Sequence, residues 1–221
     1  MRIILLGAPG SGKGSVGERL REATGFPWIS TGDLLREAVR DKTALGLRAE
    51  SQLGKGGLVD DETVLGLLRE RLSRPDCRDG YILDGYPRNL EQAATLEKLD
   101  GDRPEIVFDI DAREDVVVRR LSSRRICPSC EAIYNTISKR PKKEGVCDVC
   151  GATLVQRTDD RAEIIPERMR TYRAKTEPLV SRYAARGTLH RIDANGTIEE
   201  TVGPILAVLD RLLNKGSRDG R

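Results

Sequence analysis

The 221-residue chain predicts an α/β fold, a parallel sheet covered by helices on both faces. Three observations carry that prediction. Its short apolar runs are continuous rather than alternating, as in strands buried on both faces. The segments between them mix apolar and charged residues at helical period, and the two kinds of segment alternate along the chain. Charged residues make up 33% and aromatics 4%, with a net charge of +3, so bulk charge announces neither nucleic acid nor a membrane surface. Any anion site has to be local. The length suits one principal domain with insertions. No apolar stretch reaches the roughly 18 residues of a membrane span, and Met1-Arg2 leads straight into a strand without a secretory leader. A soluble, cytoplasmic protein is expected.

The first strand is Ile3-Ile4-Leu5-Leu6, and Gly7-Ala8-Pro9-Gly10-Ser11-Gly12-Lys13 follows at once. Glycines let backbone N–H groups turn inward, the lysine adds a mobile charge, and the helix that follows points its positive end at an anion. This is a phosphate cradle, although Gly14 holds the usual hydroxyl position and the hydroxyl arrives at Ser15. The string Gly12-Lys13-Gly14-Ser15-Val16-Gly17 also satisfies a dinucleotide fingerprint, but it starts six residues beyond Leu6 rather than directly after the strand. Further strands are expected at 27–30, 81–84, 105–110 and 189–193, and helices at 15–24, 31–40, 61–72, 89–99, 113–124 and 168–185. Two segments, 41–60 and 126–157, interrupt the rhythm and read as insertions on the ligand side. The tail from Asn214 is expected to fray. Ligands of such sheets sit at the carboxyl ends of the strands, where the glycine loop, Ser30-Thr31, Asp84-Gly85 and Asp193 all fall.

Tyr81-Ile82-Leu83-Asp84-Gly85-Tyr86-Pro87-Arg88 delivers a carboxylate at a strand end and then an arginine. An acid so placed holds Mg²⁺ directly or through water, and the arginine forks onto phosphate. A buried structural aspartate and a surface ion pair are the plainer alternatives. Cys127-Pro128-Ser129-Cys130 and Cys147-Asp148-Val149-Cys150 give C-x₂-C-x₁₆-C-x₂-C, a closed and therefore structural zinc pattern, with two disulfides as the alternative in an oxidising compartment. Cys77 reads as a small buried filler and His190 as a packing residue. Arg36, Arg88, Arg120, Arg124, Arg157 and Arg168 fall on loops or helix starts facing the glycine loop; bidentate phosphate contacts compete with solvated surface charge as their explanation. If the acceptor is itself a phosphate, its oxygen is already ionised near neutral pH and no general base is needed.

The loop Gly7 to Gly14, Ile29-Ser30-Thr31-Gly32-Asp33-Leu34-Leu35-Arg36, Leu83-Asp84-Gly85-Tyr86-Pro87-Arg88 with Gln92 after it, Arg124 before the cysteines, and Gln156-Arg157-Thr158-Asp159-Asp160 resemble, in order, the motifs of the adenylate kinase family in its long, zinc-containing bacterial form. The resemblance implies a P-loop kinase with a five-stranded parallel sheet: a core of 1–29, 60–121 and 161–221, an AMP-binding insertion at 30–59 and a zinc-bearing lid at 122–160. It implies Mg²⁺-dependent transfer from ATP to AMP giving two ADP, by a monomer without nucleic-acid or membrane partners. Lys13, Arg88, Arg124, Arg157 and Arg168 are then the catalytic residues. Gly10, Ser11, Gly12, Lys13, Gly14, Ser15, Arg120, Arg124 and Gly196 belong to ATP. Thr31, Arg36, Leu58, Val59, Gly85, Arg88, Gln92, Arg157 and Arg168 belong to AMP, with Thr31, Gly85 and Gln92 reading adenine. Asp84 organises magnesium and its water; Cys127, Cys130, Cys147 and Cys150 hold zinc. The chain departs from the family at Val16, at Ala194 and at Pro166, where a proline suited only to a first turn predicts a helix starting near 166 after a connector at 160–165. A kinase for another nucleoside monophosphate stays open, as does a zinc-ribbon module that uses nucleotide as a switch, which predicts steeply salt-dependent nucleic-acid binding.

Overall fold

A computed structural model describes residues 1–53, 58–101 and 103–216. Five parallel strands, β1 (Arg2–Leu6), β2 (Trp28–Ser30), β3 (Tyr81–Asp84), β4 (Glu105–Asp111) and β7 (Leu189–Asp193), form one sheet in the order β2-β3-β1-β4-β7. The chain fills one side of β1 first and then crosses to the other. That reversal puts the topological switch point at the carboxyl end of β1, where open α/β sheets bind ligands.

Alternation along the strands feeds two cores. Ile4, Leu6, Leu83 and Val107 face one layer with Leu35, Leu68, Leu96 and Tyr183; Ile3, Leu5, Ile82, Phe108 and Ile110 face the other with Val16, Leu20, Ile205 and Leu209. The first layer comprises α2 (Thr31–Arg40), α4 (Asp61–Leu72), α5 (Leu90–Asp100) and α8 (Pro178–Ala185), and the second α1 (Lys13–Thr24) and α9 (Ile198–Gly216). Val16, one of the family departures, is wholly buried in the second core. Ala194 is buried there too. Cys77 fills the first core as expected, and His190 lies on β7 with its ring 5.7 Å from that of Phe108.

Both interruptions of the rhythm have structure. The first contains α3 (Ala44–Leu53), which periodicity did not reveal because Gly46 and a run of polar residues dilute its apolar stripe. A Cβ on Gly46 would lie 1.9 Å from Ala38 O, so glycine is what lets α3 rest against the end of α2. Residues 54–57 of the expected 30–59 insertion lie outside the described residues, as do 102 and 217–221 of the expected core. The second follows α6 (Glu114–Ser123) and contains the antiparallel pair β5 (Arg124–Ile126) and β6 (Ile133–Asn135).

Two helical expectations change and one holds. α9 extends through Gly216, two residues past the expected start of the frayed tail at Asn214, and the rest of that tail, 217–221, lies outside the described residues. The expected helix 168–185 is instead α7 (Ile165–Thr171), a π-helical stretch Tyr172–Thr176, and α8, with Pro178 at the start of α8 accounting for the break. Pro166 sits in the first turn of α7, as its missing N–H demands, and Asp160 ends a short 3₁₀ turn before it.

Candidate functional site

The glycine loop is shaped by what surrounds it. Gly7 and Gly10 have φ of 136° and 83°. A Cβ would lie 2.5 Å from Ile110 O at Gly7, and 2.7 Å from Leu121 Cγ at Gly10, so only glycine lets the loop settle against β4 and α6. The Lys13 ammonium curls back into the loop and donates to Gly7 O and Ala8 O, both at 2.8 Å. Burial strips its water and lowers its pKa to about 8; Asp84 opposes this, while Arg88, Arg168 and Arg124 reinforce it. The first turn of α1 leaves its N–H groups without helical acceptors, aimed at the same space. An anion there satisfies ammonium and N–H groups together.

Asp84 ends β3 beside Lys13. Burial raises its carboxyl pKa and the lysine holds it down. Gly85 O accepts from Thr31 Oγ1 at 2.8 Å and from Arg88 Nε at 2.7 Å. The Arg88 backbone is clamped at both ends, with its N–H donating to Gln92 Oε1 at 2.7 Å and its carbonyl accepting from Thr176 Oγ1 at 2.8 Å. Thr31, Leu35, Leu58, Val59, Val64, Arg88 and Gln92 line a small, mostly apolar pocket beside this turn.

The remaining arginines arrive from the interrupting segment and from α7. Arg124 holds Asp160 with two bonds, Nε at 2.6 Å and a terminal nitrogen at 2.5 Å. Arg168 donates to the same carboxylate at 2.7 Å and meets Asp159 Oδ2 at 3.1 Å. Asp160 is wholly buried and fixes both guanidinium groups. Arg157 approaches Asp33 at 3.5 Å, and Asp33 also pairs with Arg36. Burial first, then the charges of Arg124 and Arg36, lower the Arg157 pKa to about 10. The open cleft thus formed is lined by six basic side chains, Lys13, Arg36, Arg88, Arg124, Arg157 and Arg168, and three carboxylates, Asp33, Asp84 and Asp159. That imbalance is a demand for polyanionic ligand.

Most of the expected site residues converge on this cleft or its side pocket: Gly10, Lys13, Gly14, Thr31, Arg36, Leu58, Val59, Asp84, Gly85, Arg88, Gln92, Arg124, Arg157 and Arg168. Ser11, Gly12, Ser15, Arg120 and Gly196 do not line it. Arg120 instead ties two loops behind it, donating to Ser11 O at 3.0 Å and Gly196 O at 2.9 Å. Asp33, Asp159 and Asp160 fall inside the motifs, where sequence alone assigns them no role. For Asp33 the signal was available, since an acid three residues before Arg36 is its natural partner; Asp159 and Asp160 pair instead with arginines outside their own motif.

The cysteines stand apart from the cleft. All four Sγ atoms lie within 4.8 Å of one another, with Cys127–Cys150 at 3.3 Å and Cys130–Cys147 at 3.5 Å. Those separations exclude disulfides, whose sulfurs sit about 2.05 Å apart, and approach the roughly 3.8 Å edge of a sulfur tetrahedron around zinc. Two equivalent knuckles present them. Cys127 N donates to Ala132 O and Glu131 N to Cys127 O; Cys147 N donates to Ala152 O and Gly151 N to Cys147 O. The left-handed residue of each knuckle is Glu131 (φ 61°) in one and Gly151 (φ 76°) in the other.

A family model described as adenylate kinase matches residues 5–188. The chain is 45% identical over 214 residues to an adenylate kinase of Thermodesulfovibrio yellowstonii, covering 96% of this chain and 100% of the relative. It is 43% identical over 215 residues to one of Archaeoglobus fulgidus (96% and 99% covered) and 45% identical over 214 residues to one of Nitrosococcus oceani (95% and 99%).

Proposed function

We infer the roles of the cleft residues from one premise: this chain belongs to the adenylate kinase family, the kinases that move a phosphoryl group reversibly between ATP and AMP. The AMP phosphate is ionised near neutral pH, so the attacking oxygen needs no base. Catalysis reduces to alignment and charge neutralisation. The observation that carries the reading is the meeting of six basic side chains at the carboxyl end of β1, next to a small, mostly apolar pocket.

Gly10, Ser11, Gly12, Gly14 and Ser15 take the ATP phosphates through the loop and the first turn of α1, with Lys13 supplying charge where it accumulates during transfer. Arg124 belongs to the same phosphates. Arg120 and Gly196 serve the ATP adenine, a role supported by the hydrogen bond that joins them. Arg36 and Arg88 grip the AMP phosphate, with Arg157 and Arg168 over the transferring group. Thr31, Leu58, Val59, Gly85 and Gln92 take the AMP nucleoside. Asp84, a hard oxygen donor at the strand end, fits Mg²⁺ held through water, and the ion screens phosphate charge when bound. The four cysteines fit zinc, which cross-links the two arms of the lid and takes no part in transfer.

The domain reading follows: a core of 1–29, 60–121 and 161–221, an AMP-binding insertion at 30–59, and a lid at 122–160 that closes to exclude water as a competing acceptor. It is supported by Arg157 of the lid meeting Asp33 of the insertion. Among the described residues no helix is long and apolar enough to cross a membrane; a cytoplasmic monomer is the state proposed, checked by sedimentation. The deciding experiment is ADP formation from ATP with AMP, UMP, CMP and GMP side by side. Strong preference for AMP is expected, and comparable turnover with a pyrimidine monophosphate overturns the base assignment.

A further inference from the structure

The pocket beside Arg88 is backed by a polar chain that leads away from Gln92. Asp60 caps α4 by accepting from Thr63 N, so Asp61 opens the first turn, where the helix favours a carboxylate. Asn89 caps α5: its Oδ1 accepts from Gln92 N at 2.7 Å, and its Nδ2 donates to Asp61 at 3.1 and 3.3 Å. Gln92 Nε2 donates to Asp61 Oδ1 at 2.7 Å, while Gln92 Oε1 accepts from Arg88 N–H at 2.7 Å. A carboxylate only accepts and a backbone N–H only donates. Turning the amide over would set oxygen against carboxylate and N–H against N–H. Gln92 is 2% exposed, so water cannot repair either mismatch.

We propose that Asp61 is a positioning residue for base selectivity: together with the Arg88 N–H it holds the Gln92 amide in a single orientation, and that orientation distinguishes a 6-amino purine from a 6-oxo purine. The proposal rests on the reading of Gln92 as an adenine contact. Adenine presents an N6 amino donor beside an N1 acceptor; hypoxanthine presents an O6 acceptor beside an N1–H donor. An amide fixed in order matches one edge and opposes the other. A freely turning amide serves both. Asp61 does not line the pocket and reaches it through Gln92, directly and by way of Asn89, which caps the turn that carries Gln92.

The test compares kcat/KM for AMP and for inosine monophosphate, at saturating ATP, in the wild type, Asp61→Asn, Gln92→Leu and the double variant. Asparagine keeps the size of Asp61 but offers donor and acceptor alike, so one of the two constraints on the glutamine amide is lost and only the Arg88 N–H still opposes its turning. The preference for AMP should fall on the order of tenfold in Asp61→Asn, through the KM of the monophosphate, with the KM for ATP unchanged. The double variant should show the same preference as Gln92→Leu alone, because the two residues lie on one path. Should Asp61→Asn fold poorly, Asp61→Ser removes the same acceptor with less bulk and the same fall is expected. An unchanged preference in the Asp61 variants, beside a lowered one in Gln92→Leu, overturns the lock and leaves the adenine reading standing. An unchanged preference in Gln92→Leu overturns both. Equal losses for the two monophosphates, with a lowered melting temperature, reduce Asp61 to a structural residue and also overturn the proposal.

Discussion

The phosphate cleft and the cysteine cluster solve opposite problems. The cleft gathers six cations against four carboxylates, Asp160 behind Arg124 and Arg168 included, and leaves them short of negative charge until a ligand arrives. The cluster is complete within itself: four thiols from two matched knuckles close on one point, with no position left over for a substrate. An incomplete site does chemistry, and a closed one holds shape. The two respond differently to the same kinds of change.

Removing one cation from the cleft should have the largest effect. Lys13→Ala is expected to lower turnover by on the order of 10²–10³ while leaving the melting temperature near wild type, since the ammonium is disfavoured by burial in the free protein and acts on charge that develops during transfer. Steady-state kinetics beside thermal unfolding read this directly. Turnover above about a tenth of wild type would remove Lys13 from the catalytic group.

The cluster should show the reverse pattern. Cys130→Ser, or chelation of the metal, is expected to lower thermal stability and loosen the lid, with smaller effects on AMP binding at the other flap. Elemental analysis of metal-replete protein should find one zinc per chain. A chain without zinc, or a Cys130→Ser protein that binds it at full affinity, would break the contrast between the two regions.

Protonation sharpens the contrast further. Lys13 in the free cleft has a pKa of about 8, and a bound polyphosphate raises it by supplying the missing negative charge. Binding therefore takes up a proton near and above pH 8. Nucleotide affinity should be greatest below pH 8 and fall as pH rises through that value, by at most about tenfold per unit. Calorimetry in buffers of different ionisation enthalpy measures the uptake, and none between pH 8 and 9 would contradict it.

How far the sequence could be read follows the same division. Groups that must sit at fixed spacing, such as the glycine loop, the strand-end Asp84-Gly85 and the paired cysteines, announce themselves because chemistry constrains residue type and spacing together. α3 and α9 escaped for different reasons: α3 depends on the bare backbone of Gly46 against Ala38, whereas α9 has a clear apolar face that Gly203-Pro204 interrupts. The partners of the arginines escaped for a related reason. Asp160 is recognisable as a positioning carboxylate only once Arg124 and Arg168 arrive from different elements, and Asp61 only once α4 and α5 set their first turns side by side.

The smallest predicted effect separates the two knuckles themselves. Glu131 and Gly151 hold equivalent left-handed positions, but an L side chain there costs about 1–2 kcal/mol relative to a right-handed conformation, a cost glycine avoids. Against this, Glu131 pairs with Arg40 at 3.2 Å, and both side chains are about half exposed, so solvent limits the pair to roughly 0–1 kcal/mol. Relief of the backbone should slightly outweigh loss of the pair. Glu131→Gly is therefore expected to raise the melting temperature of the zinc-loaded protein by a few degrees or less, and Glu131→Gln, which keeps the backbone cost and loses the charge, to lower it marginally. Because Arg40 lies on α2 and Glu131 beside the cysteines, the same pair joins the proposed insertion to the proposed lid, and both variants should weaken that contact alike in kinetics. A melting temperature that falls as much in Glu131→Gly as in Glu131→Gln would show that the ion pair, rather than the left-handed turn, decides the stability of this knuckle.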